Sequence, residues 1–227
     1  MLGKSHLVVS EAIIVGACLT VPEAVMPIDH SIMLAVGGIA GALAPDLDKE
    51  HTLAAECMSK VSRIVAKFGH RKGTHTIWAL ILLGIIPAFA TLLAAGWKGS
   101  PIACWFLTMF ALLLDGFWLG YFLHLLEDNM SVQGVMFLYP LTHYAVSERT
   151  GHEYKSRRYS RFRYRTGGSA EVLIRYVAFA LLIVGWGFLL WQRGCQDGYW
   201  TMHTYHQIEC PISNLASVVT DQNYRKF

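Results

Sequence analysis

The sequence predicts an all-α fold, an integral membrane helical bundle with four or five transmembrane helices. Three observations lead there. Hydrophobic residues make up 54% of the 227-residue chain and charged residues only 15%, against about 25% in ordinary soluble domains. Several apolar runs approach the roughly 20 residues a helix needs to cross a bilayer. Lys and Arg collect between alternate runs, as they do on the cytoplasmic side of membrane proteins. This composition argues against an ordinary soluble enzyme. The small net charge of +3 makes the placement of charge more informative than its total.

In chain order, the first run spans 7–27 and carries Glu11; it is read as a retained first helix, because no convincing small-x-small cleavage site follows it. The second, 31–45, is short and Gly-rich, a composition that tilts, re-enters or packs tightly. Runs 76–96 and 102–126 are the clearest spans. A last span, 172–191, carries Arg175 near its start. The chain then divides into a membrane-embedded unit 1–145, a basic, aromatic loop 146–171, the final helix 172–191 and a tail 192–227. The five cysteines lack the C-x-x-C spacing of a zinc site, and Cys195 and Cys210 in the tail are read equally as a disulfide or as two thiols.

Segment 46–75 holds Lys49, Lys60, Arg63, Lys67, Arg71 and Lys72. Segment 127–171 holds Arg149, Lys155, Arg157, Arg158, Arg161, Arg163 and Arg165, and Lys98 stands alone between the third and fourth runs. The positive-inside rule therefore places the N-terminus and both basic segments in the cytoplasm and, with five spans, the tail outside.

On that topology the ionisable residues cluster. His6 opens the first span, Asp46 and Asp48 close the second, His70 and His75 precede the third, and His124 and Asp128 close the fourth. All fall at the cytoplasmic end, where charged or imidazole groups near membrane depth mark function. His124 and Asp128 are spaced i, i+4 on one helix face. Taken singly, each element has a plain structural explanation: an interfacial His, a helix-ending turn, a headgroup-binding basic segment, a hydrogen bond between helices. Their convergence points to a metal site. Imidazole plus carboxylate without thiolate suits zinc first, with manganese or iron as alternatives. The donors suffice for one ion, or for two if an Asp bridges them. One Asp left unengaged can serve as general base.

The stretches "GKSHLVVS", "LAPDLD", "FGHRKGTHT" and "LGYFLHLLEDNMSVQGVMFLYPL" resemble, in order and spacing, the LexA-regulated inner-membrane metal-dependent hydrolases, the YdjM-like family. The resemblance covers residues 3–143. It departs at Ser5, where the family has Gly, and at Ser131, where it has Thr. It implies a multi-pass protein of a bacterial or phage-encoded inner membrane, with the functional positions on His6, Asp46, Asp48, His70, His75, His124 and Asp128. Arg71 also belongs to the pattern. It is read either as a cation holding a substrate phosphate or as a topology determinant only.

The expected function is a membrane-embedded metal-dependent hydrolase acting on an ester or phosphoester of a lipid-like anionic substrate, with Asp48, Arg71 and Asp128 as catalytic groups. The alternative is a non-catalytic metal-binding scaffold or sensor that recruits a protein partner through its basic loop; a metal-ion transporter ranks third, because only Glu11 and Asp115 approach mid-span. Asp115 would join a proton or ion path, or pair with Glu11 or Arg175. The loop residues Arg157, Arg158, Arg161, Arg163 and Arg165, interleaved with Tyr and Phe, suit the anionic leaflet. Membrane lipid is therefore the first partner, a protein partner or second copy the next, and nucleic acid the least favoured.

Overall fold

The computed structural model describes residues 2–22, 26–48, 52, 55, 60, 62–63, 73–131, 134–141, 145–146, 153–154 and 164–194. Among them five helices are long and apolar enough to cross a membrane: α1 (Gly3–Thr20), α2 (Ile28–Leu43), α3 (Ile77–Gly96), α4 (Pro101–Asn129) and α5 (Ser169–Leu189). A 3₁₀ turn, Pro45–Asp48, follows α2 and a π turn, Leu190–Gly194, follows α5. Two-residue strands β1 (Ala145–Val146) and β2 (Glu153–Tyr154) pair antiparallel between α4 and α5. The fold is thus an all-α bundle, and of the expected four or five spans the structure has five.

The helix ends follow local chemistry. α1 stops at Val21, whose extended backbone is the conformation imposed on a residue before proline, here Pro22. The Thr76 side chain caps α3 by accepting from the Ala79 N–H at 3.3 Å. Ser100 does the same for α4 through the Ala103 N–H, also at 3.3 Å, with Pro101 at the first helical position, where its missing N–H is harmless. At the start of α5, Glu171 reaches back to the Gly167 N–H at 2.7 Å and also accepts from the Leu2 N–H at 2.7 Å. That carboxylate ties the start of α5 to the start of α1.

The Gly-rich second run is a complete helix at the centre of the bundle, not a re-entrant segment. α2 packs chiefly on α4, and the two run parallel. Gly37 and Gly41 of α2 face Gly116 and Gly120 of α4. A Cβ on Gly37 would strike the Leu113 carbonyl, one on Gly41 the Phe117 carbonyl, one on Gly116 the Leu34 carbonyl and one on Gly120 the Gly38 carbonyl. These are two small-xxx-small faces in backbone contact, the standard device for tight helix association where lipid removes the hydrophobic drive. α1 then packs on α2 and α5, and α3 on α4. Ile81, Leu82, Ile85, Phe89 and Leu92 of α3 are exposed, the face that meets lipid in a membrane.

At the end of the bundle away from the His/Asp residues, Arg193 is 1% exposed. Its Nη1 donates to the Met26 carbonyl and, at 2.8 Å, to Ser31 Oγ. Its Nη2 donates to the carbonyls of Cys18 and, at 2.6 Å, Val21. One guanidinium thereby gathers acceptors from the end of α1, the α1–α2 connection and the start of α2. Near mid-span, Asp115 takes a hydroxyl partner in place of Glu11 or Arg175: Thr91 Oγ1 donates to its Oδ2 at 2.9 Å. Glu11 is buried instead against Gly38. Cys18 is a buried free thiol and Cys104, near the start of α4, is disulfide-bonded; Cys195 and Cys210 lie outside the described residues.

Gly120→Ala should cost about 1–3 kcal/mol, the usual range for overpacking, and lower the thermal midpoint of the purified protein. Gly16→Ala is the control. Nothing lies within 4 Å of a Cβ there, so the midpoint should stay level or rise slightly.

Candidate metal centre

The glycine contact between α2 and α4 ends one turn before the polar cluster and sets its first bond. His124 of α4 places Nδ1 2.7 Å from the Ala42 carbonyl of α2. A carbonyl only accepts, so Nδ1 carries the proton and the lone pair lies on Nε2. That Nε2 is buried and has no hydrogen-bond partner.

His6 of α1 repeats the pattern with a different acceptor. Its Nδ1 lies 2.8 Å from Glu127 Oε2, and Ser10 Oγ donates to Glu127 Oε1 at 2.9 Å. With Nδ1 directed at the carboxylate, His6 Nε2 lies 3.2 Å from Asp128 Oδ1 without hydrogen-bond alignment. His6 and His124 stack with ring centroids 3.8 Å apart.

His75 comes from the turn before α3. Its Nδ1 lies 2.9 Å from Thr74 Oγ1, which is also 3.5 Å from the Pro45 carbonyl. The arrangement that satisfies both contacts has Nδ1–H donating to the hydroxyl and the hydroxyl donating to Pro45. His75 Nε2 then points to Asp128 Oδ2 at 3.7 Å. The Tyr121 hydroxyl donates to the Thr74 carbonyl, fixing this turn against α4 one turn before His124.

Asp46 sits in the 3₁₀ turn with Oδ1 4.0 Å from His124 Nε2. Thr52 Oγ1 donates to the Asp46 carbonyl at 2.9 Å and steadies that turn. After α4, Ser131 Oγ donates to the Asp128 carbonyl at 2.7 Å. The Tyr164 hydroxyl donates to the Glu127 carbonyl at 2.7 Å. The C-terminal turn of α4, which carries His124, Glu127 and Asp128, is thus held from four sides.

The outcome is a compact donor set. His6, His75 and His124 are 0% exposed, Asp128 2% and Asp46 8%. Two overlapping trios, His6–His124–Asp128 and Asp46–His75–His124, each bring their ligand atoms within 4.8 Å of one another. Each imidazole has Nδ1 engaged by an oxygen and Nε2 turned inward. That is the arrangement of metal-ligating histidines, whose second nitrogen is held by a carboxylate, hydroxyl or carbonyl. Three imidazoles and two carboxylates fit a divalent metal ion.

Of the residues expected from sequence, the structure brings together His6, Asp46, His75, His124 and Asp128. The Asp48 backbone closes the 3₁₀ turn, and its side chain lies outside the described set, as do His70, Arg71, Arg157, Arg158, Arg161 and Arg163. Arg165 is exposed. Supporting residues that the sequence does not single out include Thr74, Glu127, Ser10 and Tyr164. Thr74 stands inside the His-Arg-x-x-Thr-His pattern and Glu127 stands beside Asp128, so both carried a local signal. Ser10 and Tyr164 carried none.

These features define an α-helical integral membrane protein with a buried His/Asp centre able to hold a metal ion. The chain matches the model of the YdjM inner membrane protein family over residues 1–194, and it belongs to that family. The match runs past the motif-bearing residues 3–143 and takes in α5. No curated protein and no solved structure matches the chain.

Zinc added to metal-stripped protein should raise its thermal midpoint. At a free concentration of 100 times the dissociation constant the gain is about 2.7 kcal/mol. His124→Ala should abolish the zinc-dependent part of the shift, read by differential scanning fluorimetry with and without chelator.

Proposed function

We propose that this protein is a membrane-embedded, metal-dependent hydrolase that cleaves an ester, best a phosphoester, of a lipid or lipid-linked substrate. The observation that carries the reading is the convergence of three inward-facing imidazole Nε2 atoms and two aspartates at one end of an apolar bundle. His6, His75, His124, Asp46 and Asp128 would hold the metal, joined by Asp48 and His70 of the same motifs. Zinc is the best fit to this donor set. Such an ion supplies Lewis acidity and lowers the pKa of water toward neutrality.

The chain's own groups divide the remaining work. Asp128 presents Oδ1 toward His6 and Oδ2 toward His75, so it would serve one ion, or two if both are bound. Asp48 would serve as the general base. Arg71 lies between His70 and His75 in sequence and holds the anionic headgroup. The Lys and Arg pattern supports a cytoplasmic position for this end. The disulfide at Cys104, near the opposite end of α4, agrees with an oxidising compartment on the other side. The composition of the arginine-rich segment suits the anionic leaflet, and Tyr164, just after it, donates to the Glu127 carbonyl beside the centre.

A second reading is favoured by one observation. The described donors are almost wholly buried, as in closed structural metal sites. It makes the protein a metal-held scaffold whose basic loop recruits a partner.

Metal analysis combined with turnover of lipid phosphoesters in mixed micelles separates the two. The hydrolase reading expects one or two zinc ions per chain and phosphate release that falls to background in Asp128→Asn. Arg71→Ala should raise KM about tenfold, the equivalent of one charge-assisted hydrogen bond. Stoichiometric zinc without turnover of any phospholipid would select the scaffold, and no bound metal would end both. A reporter fused after α5 should read outside the cytoplasm.

A further inference from the structure

We infer that Glu127, which belongs to neither donor trio, is the positioning residue of the metal centre: its carboxylate fixes the tautomer and ring orientation of His6 and gives that ligand its affinity. The inference rests on the metal reading above and adds a residue to which the family motif assigns no role.

α1 brings one imidazole, His6, into the donor set, and α1 touches α4 far less than it touches α2 and α5. The ring's placement over α4 therefore depends on a small number of bonds. Glu127 makes the direct one, at 2.8 Å from His6 Nδ1. Its other oxygen receives the hydroxyl of Ser10 at 2.9 Å, one turn along α1 from His6. The carboxylate thus grips α1 at two successive inward positions and sets both the rotation of α1 and the height of the ring. Its own backbone is held in turn, because the Tyr164 hydroxyl donates to the Glu127 carbonyl at 2.7 Å.

The three histidines differ in what holds Nδ1. His124 has a backbone carbonyl, His75 a threonine hydroxyl and His6 a carboxylate. Of the three acceptors only the carboxylate carries a negative charge, so it strengthens its histidine as a donor most. A glutamine of the same shape offers two alternatives, both weaker. Its oxygen can accept from His6 without the charge. Its amide can donate to Nδ1 instead, which moves the ring proton to Nε2 and removes the lone pair that faces the centre. A residue that merely filled space between α1 and α4 would tolerate the exchange.

The test uses the full chain in detergent micelles, with zinc alone as the probe. Zinc affinity is read by competition with a chromogenic chelator, and folding by the thermal midpoint of the metal-free protein. Glu127→Gln should weaken zinc about 10- to 100-fold, the range for removing a group that orients a metal ligand, while the metal-free midpoint changes little. In cobalt-loaded protein the visible bands should shift, as they would not if only packing had changed. Ser10→Ala leaves the carboxylate in place and loosens its second hold, so it should weaken zinc a few-fold. Wild-type zinc affinity in Glu127→Gln overturns the inference. If that variant fails to fold, wild-type affinity in Ser10→Ala overturns it instead. Absence of zinc from the wild type would overturn the metal reading itself, and this inference with it, and so is distinguishable from failure of the inference alone.

Discussion

The backbone contact between α2 and α4 is the constraint on which the rest of the structure depends. Gly37 and Gly41 on one helix and Gly116 and Gly120 on the other let the two chains approach until carbonyls sit where side chains would be. In a bilayer, association of apolar helices gains little from hydrophobicity, so close packing has to supply it. The consequence appears one turn further on. With the axes this close, the Ala42 carbonyl reaches His124 Nδ1, and the 3₁₀ turn after α2 brings Asp46 within 4.0 Å of the same ring. A side chain at any of these glycines would strike the backbone of the partner helix and so force apart the two helices that this bond joins.

Around that pair the remaining helices are attached by polar bonds concentrated at the two ends of the bundle. At one end Glu127 and Glu171 hold α1, the first through His6 and Ser10, the second through the Leu2 N–H. At the other end the Arg193 guanidinium gathers carbonyls from the α1–α2 connection. The middle is apolar apart from a few buried groups such as Glu11 and the Thr91–Asp115 pair. This distribution suits a membrane, where a polar group is tolerated at an interface or when its partner is supplied by the protein. Among the described residues, the His/Asp donors of the two trios gather at one depth.

The centre shows how supporting groups decide what a cluster of histidines can do. A buried imidazole with Nε2 protonated is a hydrogen-bond donor; with Nδ1 protonated and Nε2 bare it is a ligand. Three acceptors of different chemistry, one on each ring, fix a proton at Nδ1 and turn Nε2 toward the centre. The Asp128 carboxylate lies between His6 and His75, where a cation would meet it together with their Nε2 atoms.

Much of this was legible in the sequence, because it depends on composition and local spacing. Apolar runs predict helices wherever the backbone must satisfy its own hydrogen bonds in lipid, and the i, i+4 spacing of His124 and Asp128 puts them on one face whatever surrounds them. The positions of His6, Asp46 and His75 at the same end follow from counting spans. What the sequence could not decide is anything that depends on how two helices meet. The 31–45 run read as a weak or re-entrant span because its glycines lower hydropathy and helix propensity; only the partner helix shows them to be the contact. Asp115 looked available to Glu11 or Arg175 until the packing of α3 supplied Thr91. Glu127 read as one more acid beside Asp128. Its role exists only across the gap to α1, where Ser10 and His6, more than a hundred residues away in the chain, arrive at its two oxygens. Sequence by itself determined which groups reach one membrane depth, because that follows from helix length and order. The tertiary structure decided which of them touch and which nitrogen of each histidine turns toward the centre, because those depend on distances between helices that no local pattern encodes.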